Sequence, residues 1–144
     1  METLIVVGML ALFASVTMVV GVHAFNRSSV KDDRDLLVGV LQKARSEAMH
    51  GICTSEGCIG PTAHGVHITD TAVVLFEGTT YNTANSSNRA FYVQSASTHF
   101  STSGDIIFAA GNADTASSSV TVRSGAEVVS IVAVGALGQI SWSY

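Results

Sequence analysis

His64 and His67, two histidines three residues apart, are the residues in this chain that most readily suggest a metal site. Zinc and similar ions need three or four ligands, and no clear acidic or thiol partner accompanies this pair. We therefore expect both histidines in a surface loop. The sequence also lacks a Gly-x-Ser-x-Gly nucleophile motif and a glycine-rich phosphate loop. These patterns predict no catalytic residue, no cofactor and no metal.

The two cysteines, Cys53 and Cys58, enclose the residues Thr-Ser-Glu-Gly. Such a sequence favours a tight turn, which can bring the two sulfurs within bonding distance. Two cysteines are too few for a zinc site, and their spacing is not that of a Cys-x-x-Cys redox motif. We predict a disulfide, with two free thiols as the alternative. A disulfide in turn indicates an oxidising compartment outside the cytoplasm.

The charge of the chain is low and negative. Seven basic and eleven acidic side chains give a formal net charge of −4, and charged residues make up only 12% of the sequence. Nucleic-acid binding depends on clustered Lys and Arg side chains. The composition therefore gives no indication of a nucleic-acid partner.

The strongest feature of the sequence is an apolar run from Thr3 to Phe25 that contains no Asp, Glu, Lys or Arg and follows a single acid, Glu2. About 20 apolar residues in a helix cross the hydrocarbon core of a bilayer. No basic residue precedes the run, it is longer than the apolar part of a signal peptide, and no Ala-x-Ala cleavage site follows it. We predict that residues 1–25 form a transmembrane or filament-core segment rather than a cleaved signal.

The next residues continue the same helix in amphipathic form. Apolar residues recur at intervals of three and four positions, which places them on one face of a helix. They are Leu37, Val40, Leu41, Ala44 and Ala48. No proline interrupts the pattern, and Gly51 is a suitable C-terminal stop. We predict one helix from about residue 2 to about residue 50, with residues 26–51 as its amphipathic half.

Residues 52–144 have the composition of short strands separated by Gly, Asn and Ser. The predicted strands are 66–68, 72–76, 90–94, 105–108, 119–123, 127–133 and 139–144. Between them, residues 79–88 read as a long exposed loop. The sequence thus predicts an α+β fold in which a long N-terminal helix packs on an antiparallel sheet of one globular, β-rich head.

Four segments resemble the type IV pilin and pseudopilin superfamily. The string from Glu2 to Leu10, Glu-Thr-Leu-Ile-Val-Val-Gly-Met-Leu, resembles the start of the pilin helix, with Glu2 as the family's glutamate. The segment from Leu36 to Ala48, which ends in Ala-Arg-Ser-Glu-Ala, is similar to the helix end of the GspH/FimT branch. Segments 104–108 and 135–140 resemble the Gly-x-Ile-x-Phe and closing Gly-x-Ile strands of that branch.

This resemblance implies a structural subunit without enzymatic activity. The subunit would reside in the inner membrane before assembly and then polymerise into a helical filament that is extracellular or periplasmic. It implies copies of the same chain and the pilus or secretion assembly machinery as partners. The residues implied in assembly are Glu2, Thr3, Leu4, Ile5, Val6 and Val7. A carboxylate among apolar helices is costly unless it is paired. The resemblance implies that the Glu2 carboxylate pairs with the N-terminal amine of a neighbouring subunit.

Several alternatives remain open from the sequence. Within the superfamily, they are a GspH-like minor pseudopilin of a type II secretion system and a FimT-like subunit for DNA uptake. The cations available for DNA are Lys43, Arg45, Arg89 and Arg123. From another class, a membrane-anchored extracytoplasmic binding domain would also fit the apolar segment. Two glycosylation sequons begin at Asn26 and Asn85, and Asn85 is the better candidate because it lies in the predicted loop.

Overall fold

The computed structural model describes residues 2–54, 60–101 and 104–144, and in its helix the side chains of residues 2–4, 14 and 16–27 are not described. The chain begins with one long helix, α1 (Glu2–Met49). Within the described ranges, eight strands follow this helix and form two antiparallel sheets. The predicted α+β architecture, with a long N-terminal helix packed on antiparallel strands, is confirmed.

Helix α1 ends where the sequence predicts. Gly51 adopts a positive φ of 59°. The Gly51 amide donates to the Ala48 carbonyl at 3.2 Å and the Ile52 amide donates to the Glu47 carbonyl at 3.0 Å. This pair of hydrogen bonds is the Schellman motif, in which a left-handed glycine satisfies the last helical carbonyls. Gly51 therefore ends the helix through its backbone conformation.

The strands divide into two four-stranded sheets in the described part of the chain. Sheet 1 has the order β3-β2-β1-β5, and sheet 2 has the order β4-β6-β7-β8. Their bounds are β1 His64–Ile68, β2 Ala72–Glu77, β3 Arg89–Tyr92, β4 Thr98–Ser101, β5 Ile106–Phe108, β6 Ser118–Ser124, β7 Glu127–Val134 and β8 Ile140–Ser143.

The core lies between the second half of α1 and one face of each sheet. Val30, Leu37, Leu41, Ala44 and Ala48 are all at most 1% exposed and form the helix side of this core. The sheets contribute alternate residues, as expected where one face of a strand is buried. These are Val66, Ile68, Val73, Leu75, Phe100, Ile106, Phe108, Val120, Val122, Val132 and Val134.

Three details differ from the sequence-based expectations. The described residues of the head form two sheets where one was expected, and strand β4 (Thr98–Ser101) was not predicted. Thr98 and Phe100 are its buried residues, so only one large apolar side chain marks this strand in the sequence. The expectation of a surface loop around His64 and His67 was wrong, because both residues lie in β1.

The outer face of sheet 1, opposite the core, is covered by the loop that follows β2. The Tyr81 ring stacks on the His67 ring with centroids 4.0 Å apart and an interplanar angle of 9°. It also lies 5.5 Å from the ring of Phe76, which is 1% exposed. The predicted loop over residues 79–88 is therefore a loop that packs on the sheet through Tyr81.

A buried carboxylate fastens the β3–β4 connection to the helix. Asp33 is 1% exposed. Its Oδ1 atom accepts a hydrogen bond from the Gln94 amide at 2.8 Å, and its Oδ2 atom accepts one from the Ser95 amide at 3.2 Å. The carboxylate thus satisfies two backbone donors of the connection, which would otherwise lose their partners.

We expect Asp33→Ala to lower the free energy of unfolding by about 2 kcal/mol, because it leaves two backbone N–H groups without an acceptor. Urea unfolding of the full chain measures this loss. Asp32→Ala is the matched control: Asp32 is exposed, and such surface changes usually stay within about 0.5 kcal/mol. Equal losses in the two variants would show that the carboxylate of Asp33 does not hold the connection.

Candidate assembly interface

The first turns of α1 project apolar side chains into solvent on every side of the helix. Seven large apolar side chains between Ile5 and Phe13 are each at least 56% exposed, and they are Ile5, Val6, Val7, Met9, Leu10, Leu12 and Phe13. Residues at 5, 6 and 7 point in three directions 100° apart, so the exposure is not confined to one stripe. Single exposed apolar residues are common in folded proteins, but a contiguous exposed patch marks an interaction site.

The structure places the predicted assembly residues together at the start of this segment. The backbone of Glu2, Thr3 and Leu4 is helical, while their side chains lie outside the described part. Ile5, Val6 and Val7 are exposed. For the transmembrane segment predicted over residues 1–25, no helix among the described residues is long and apolar enough to cross a membrane.

Where α1 meets the head, Arg34 connects the helix to the C-terminal strand. Arg34 is 6% exposed, and its Cζ atom lies 5.8 Å from the centroid of the Trp142 ring and 5.0 Å from that of Tyr144. Its Nη2 atom also donates to Asp35 Oδ1 at 2.6 Å. Hydrogen bonding to Tyr144 and the Asp35 carboxylate raises the pKa of Arg34, although burial acts in the opposite direction.

Neither Asp33 nor Arg34 was singled out from the sequence, although the helical pattern contains a signal for both. Steps of four and three residues back from Leu37 lead to Asp33 and Arg34. Both therefore lie on the buried face defined by Leu37 and Leu41. Charged residues on a core face need specific partners. An acid and a base at such positions could have been identified as structural contacts.

We expect Arg34→Ala to loosen β8 by about 2 kcal/mol, because it removes a largely desolvated cation from beside two aromatic rings. Trp142 is the single tryptophan of the chain, so its fluorescence reports on this contact directly. The expected result is a shift of the Trp142 emission to longer wavelength and stronger quenching by acrylamide. Arg123→Ala, at an exposed position of β6, is the control. An unchanged Trp142 emission in Arg34→Ala would contradict the contact.

The overall architecture is shared with a solved pilin structure. The crystal structure of the type IV minor pilin FimU from Pseudomonas aeruginosa superposes with a TM-score of 0.64 at 13% sequence identity, covering 82% of this chain and 90% of that one. The chain has a type IV pilin-like fold. No protein-family model and no curated protein sequence matches the chain at a significant level.

The cations considered for DNA binding lie on three elements of this pilin-like fold. Lys43 and Arg45 are on α1, Arg89 is in β3 at the edge of sheet 1, and Arg123 is in β6 of sheet 2. Arg89 Nη1 lies 4.0 Å from the carboxylate of Glu47, so part of its charge is offset by an acid.

Three further predictions for the pilin-like head concern metal binding, a disulfide and glycosylation. Among the described residues, no group of three or more His, Cys, Asp or Glu side chains is arranged to hold a metal. Cys58 lies outside the described residues, so the disulfide with Cys53 stays a prediction. Asn85 lies in the loop after β2, where its Oδ1 atom accepts hydrogen bonds from the amide and hydroxyl of Ser87 at 3.0 and 2.9 Å. Its glycosylation also stays a prediction.

Proposed function

We propose that this protein is a structural subunit of a type IV pilus-like filament and polymerises through the N-terminal half of α1. The single observation that carries the proposal is the ring of exposed apolar side chains from Ile5 to Phe13 on a helix that extends from a pilin-like head. The head has its own buried core. The exposed segment is therefore available for contact with other molecules.

Burial of the exposed segment supplies the driving force of the proposed assembly. A fully buried Leu, Ile, Val, Met or Phe side chain contributes about 1.5–3 kcal/mol relative to an exposed one. Seven such side chains between Ile5 and Phe13 are enough to offset a substantial part of the cost of ordering a subunit. Copies of the same chain offer the same apolar surface, and a bundle of parallel helices buries all sides of it at once.

Glu2 has a separate role in this proposal. At the start of an apolar helix, a carboxylate is costly in a bundle unless a cation neutralises it. We propose that Glu2 pairs with the N-terminal amine of a neighbouring subunit and thereby sets the axial register of the filament. Thr3, Leu4, Ile5, Val6 and Val7 would form the adjoining apolar contacts.

The apolar run also determines where we propose that the subunit resides before assembly. The run from Thr3 to Phe25 contains no Asp, Glu, Lys or Arg, so we propose that it resides in the inner membrane with the head outside the cytoplasm. Lipid and neighbouring helices are both apolar, and exchange between them has little net cost. The pilus or secretion assembly machinery would extract the subunit, and the filament would lie at the cell surface or in the periplasm.

Within this function, similarity to a minor pilin favours a minor subunit, as do the segments that resemble the GspH/FimT branch. A GspH-like pseudopilin of a type II secretion system is the closest alternative. The competing class is a membrane-anchored binding domain that never polymerises.

Electron microscopy of sheared surface or periplasmic material from the producing cells distinguishes these functions. The proposal predicts fibres that contain this chain, identified by mass spectrometry and by antibody labelling of the head. A trace amount relative to another subunit would indicate a minor pilin, and a dominant amount a major one. Recovery of the chain only as a monomer in the membrane fraction, from cells that do carry filaments, would support the anchored binding domain instead.

A further inference from the structure

The strands that flank α1 show which end of the head lies nearer the apolar run. At one end of β3, Arg89 Nη1 lies 4.0 Å from Oε1 of Glu47, near the C-terminus of α1. Just beyond its other end, the Gln94 amide donates to Asp33. Strand β3 therefore runs antiparallel to α1, and its last residue, Tyr92, lies toward the apolar run. We call this the lower end of the head and the opposite one the upper end.

Strand β8 runs in the same direction as β3 and also reaches the lower end. Gly138 precedes it, and a Cβ atom there would lie 3.1 Å from Nε of Arg45, in the upper part of α1. The rings of Trp142 and Tyr144 instead lie 5.8 and 5.0 Å from Cζ of Arg34. The ends of β3 and β8, which are edge strands of different sheets, thus lie at a similar level along α1.

Three exposed aromatic side chains distinguish the lower end, and we call them the aromatic rim. Tyr92 is 71% exposed, Trp142 47% and Tyr144 80%. In the described part of the head, every other Phe and Tyr side chain is buried or half-buried. At the upper end, the exposed large apolar residues, such as Met49 and Leu137, have no aromatic ring. Exposed aromatic side chains are therefore confined to one end of the described head.

The lower end of the head lies close to the apolar run. Val30 is 1% exposed, so the head already covers the helix at this residue. It follows Phe25, the last residue of the run, by five positions, which is about 8 Å at a rise of about 1.5 Å per residue. Arg34 is one turn farther along, but helical side chains lean toward the N-terminus and therefore toward the run. The headgroup layer on each side of a bilayer is about 5–8 Å thick. A run that fills the hydrocarbon core thus brings the rim to the outer part of the headgroup layer.

The composition and arrangement of the rim suit a boundary between lipid and water. Trp and Tyr carry an apolar ring and one polar N–H or O–H group, and they are enriched where membranes meet water. The rings lie at the ends of edge strands of two different sheets, at one level along α1 rather than on one face of the head. A flat membrane surface contacts residues at one level, whereas a protein partner covers a contiguous patch. The arrangement therefore favours lipid over a second copy of this chain.

The charges beside the rim do not select anionic lipids. The segment of α1 from Lys31 to Asp35 carries two cations and three acids, so it lacks the cluster of Lys and Arg side chains that attracts an anionic surface. Contact through aromatic rings does not require such a cluster. Zwitterionic headgroups are therefore the partner that the rim fits.

We propose that the aromatic rim contacts the zwitterionic headgroups of the membrane and holds the head against the membrane surface before assembly. This inference depends on the proposed residence of the run from Thr3 to Phe25 in the inner membrane. It adds a second attachment, made by the head itself, which is released when the subunit is extracted into a filament. Trp142 is the single tryptophan of the chain, so its fluorescence reports on the contact.

Quenching of Trp142 fluorescence by nitroxide-labelled lipids tests the rim in the full chain. The chain is reconstituted into phosphatidylcholine vesicles whose lipids carry the nitroxide either on the headgroup or in the middle of the acyl chain. We expect the headgroup label to quench Trp142 at least about twofold more than the mid-chain label, because aromatic anchors lie at the headgroup level. Trp142→Phe combined with Tyr92→Trp moves the fluorophore to the other sheet and should give the same result.

A tryptophan at the upper end of the head is the matched control. Trp142→Phe combined with Leu137→Trp places the fluorophore at a position that is 68% exposed, and we expect little quenching by either label. Equal quenching by the headgroup label at positions 137 and 142 would overturn the rim. So would a Trp142 that is shielded from both the headgroup label and acrylamide, because a second copy of the chain would then cover it.

Flotation of the vesicles separates this inference from the proposed function. A chain that does not float with the vesicles would contradict membrane residence, and the rim with it. A chain that floats but whose Trp142 is not quenched by the headgroup label would overturn the rim alone.

Discussion

Glu2→Ala should leave the head folded and nearly abolish filament assembly. If Glu2 neutralises a neighbour's terminal amine among apolar helices, its removal leaves that amine buried and unpaired. Breaking a buried ion pair from one side costs about 3–5 kcal/mol. This corresponds to at least about a hundredfold weaker association of each subunit. The measurement is the yield of sheared filaments, compared with the amount of subunit in the cells and with its circular dichroism.

Two further variants make the result specific to the charge of Glu2. Glu2→Gln keeps the size of the side chain but removes its negative charge, so we expect it to resemble Glu2→Ala. Glu127→Ala removes one carboxylate from an exposed position of β7 and should assemble normally. A normal yield of filaments from Glu2→Ala would show that Glu2 is only a polar residue at the end of the helix.

The elements that were predicted correctly are those whose signal is local. The apolar run, the spacing of three and four residues from Leu37 to Ala48, and Gly51 together define α1 within the sequence itself. Most strands are marked by β-branched residues between Gly and Ser, but Phe100 is the only large apolar residue of β4. The division into two sheets depends on pairings between distant strands, such as β1 with β5. Such pairings leave little trace in a single sequence.

The same difference between local and long-range signals decides which parts of the candidate site and of the buried polar contacts could be predicted. The apolar character of the exposed segment from Ile5 to Phe13 is a matter of local composition and is visible in the sequence. The assembly role of residues 2–7 stays a prediction. The helical pattern can mark Asp33 as a residue that needs a partner, but the partners of Asp33 and His64 cannot be predicted, because they are remote or are backbone atoms. Asp33 binds an amide 61 residues away, and His64 binds the carbonyl of Ile52. A histidine pair in the sequence suggests a metal or a loop, whereas the fold uses His64 as a buried contact between the helix, the connection that follows it and the sheet.

Gly65→Val should destabilise the head by about 3 kcal/mol, although valine is a better strand former than glycine. A Cβ atom at position 65 would overlap Cζ of Phe76 and lie within 2.8 Å of both of its Cε atoms. The Phe76 ring is buried and lies against Tyr81, which itself stacks on His67. The ring therefore cannot move aside without displacing the loop after β2. Urea unfolding of Gly65→Val and wild type measures the loss.

A second substitution separates this clash from a general effect on the strand. The Phe76→Leu variant lacks the three ring atoms nearest the new Cβ, so Gly65→Val in that background should cost less than about 1 kcal/mol. The difference between the two backgrounds is the coupling energy of the pair. Val66→Ala, in the same strand but facing the core, is the control, because its loss should be the same in both backgrounds. If Gly65→Val costs as much in the Phe76→Leu background as in the wild-type one, the absence of a side chain at position 65 serves the backbone and not the ring. If the cost disappears, the glycine is there to admit Phe76, and the loop that covers sheet 1 depends on it.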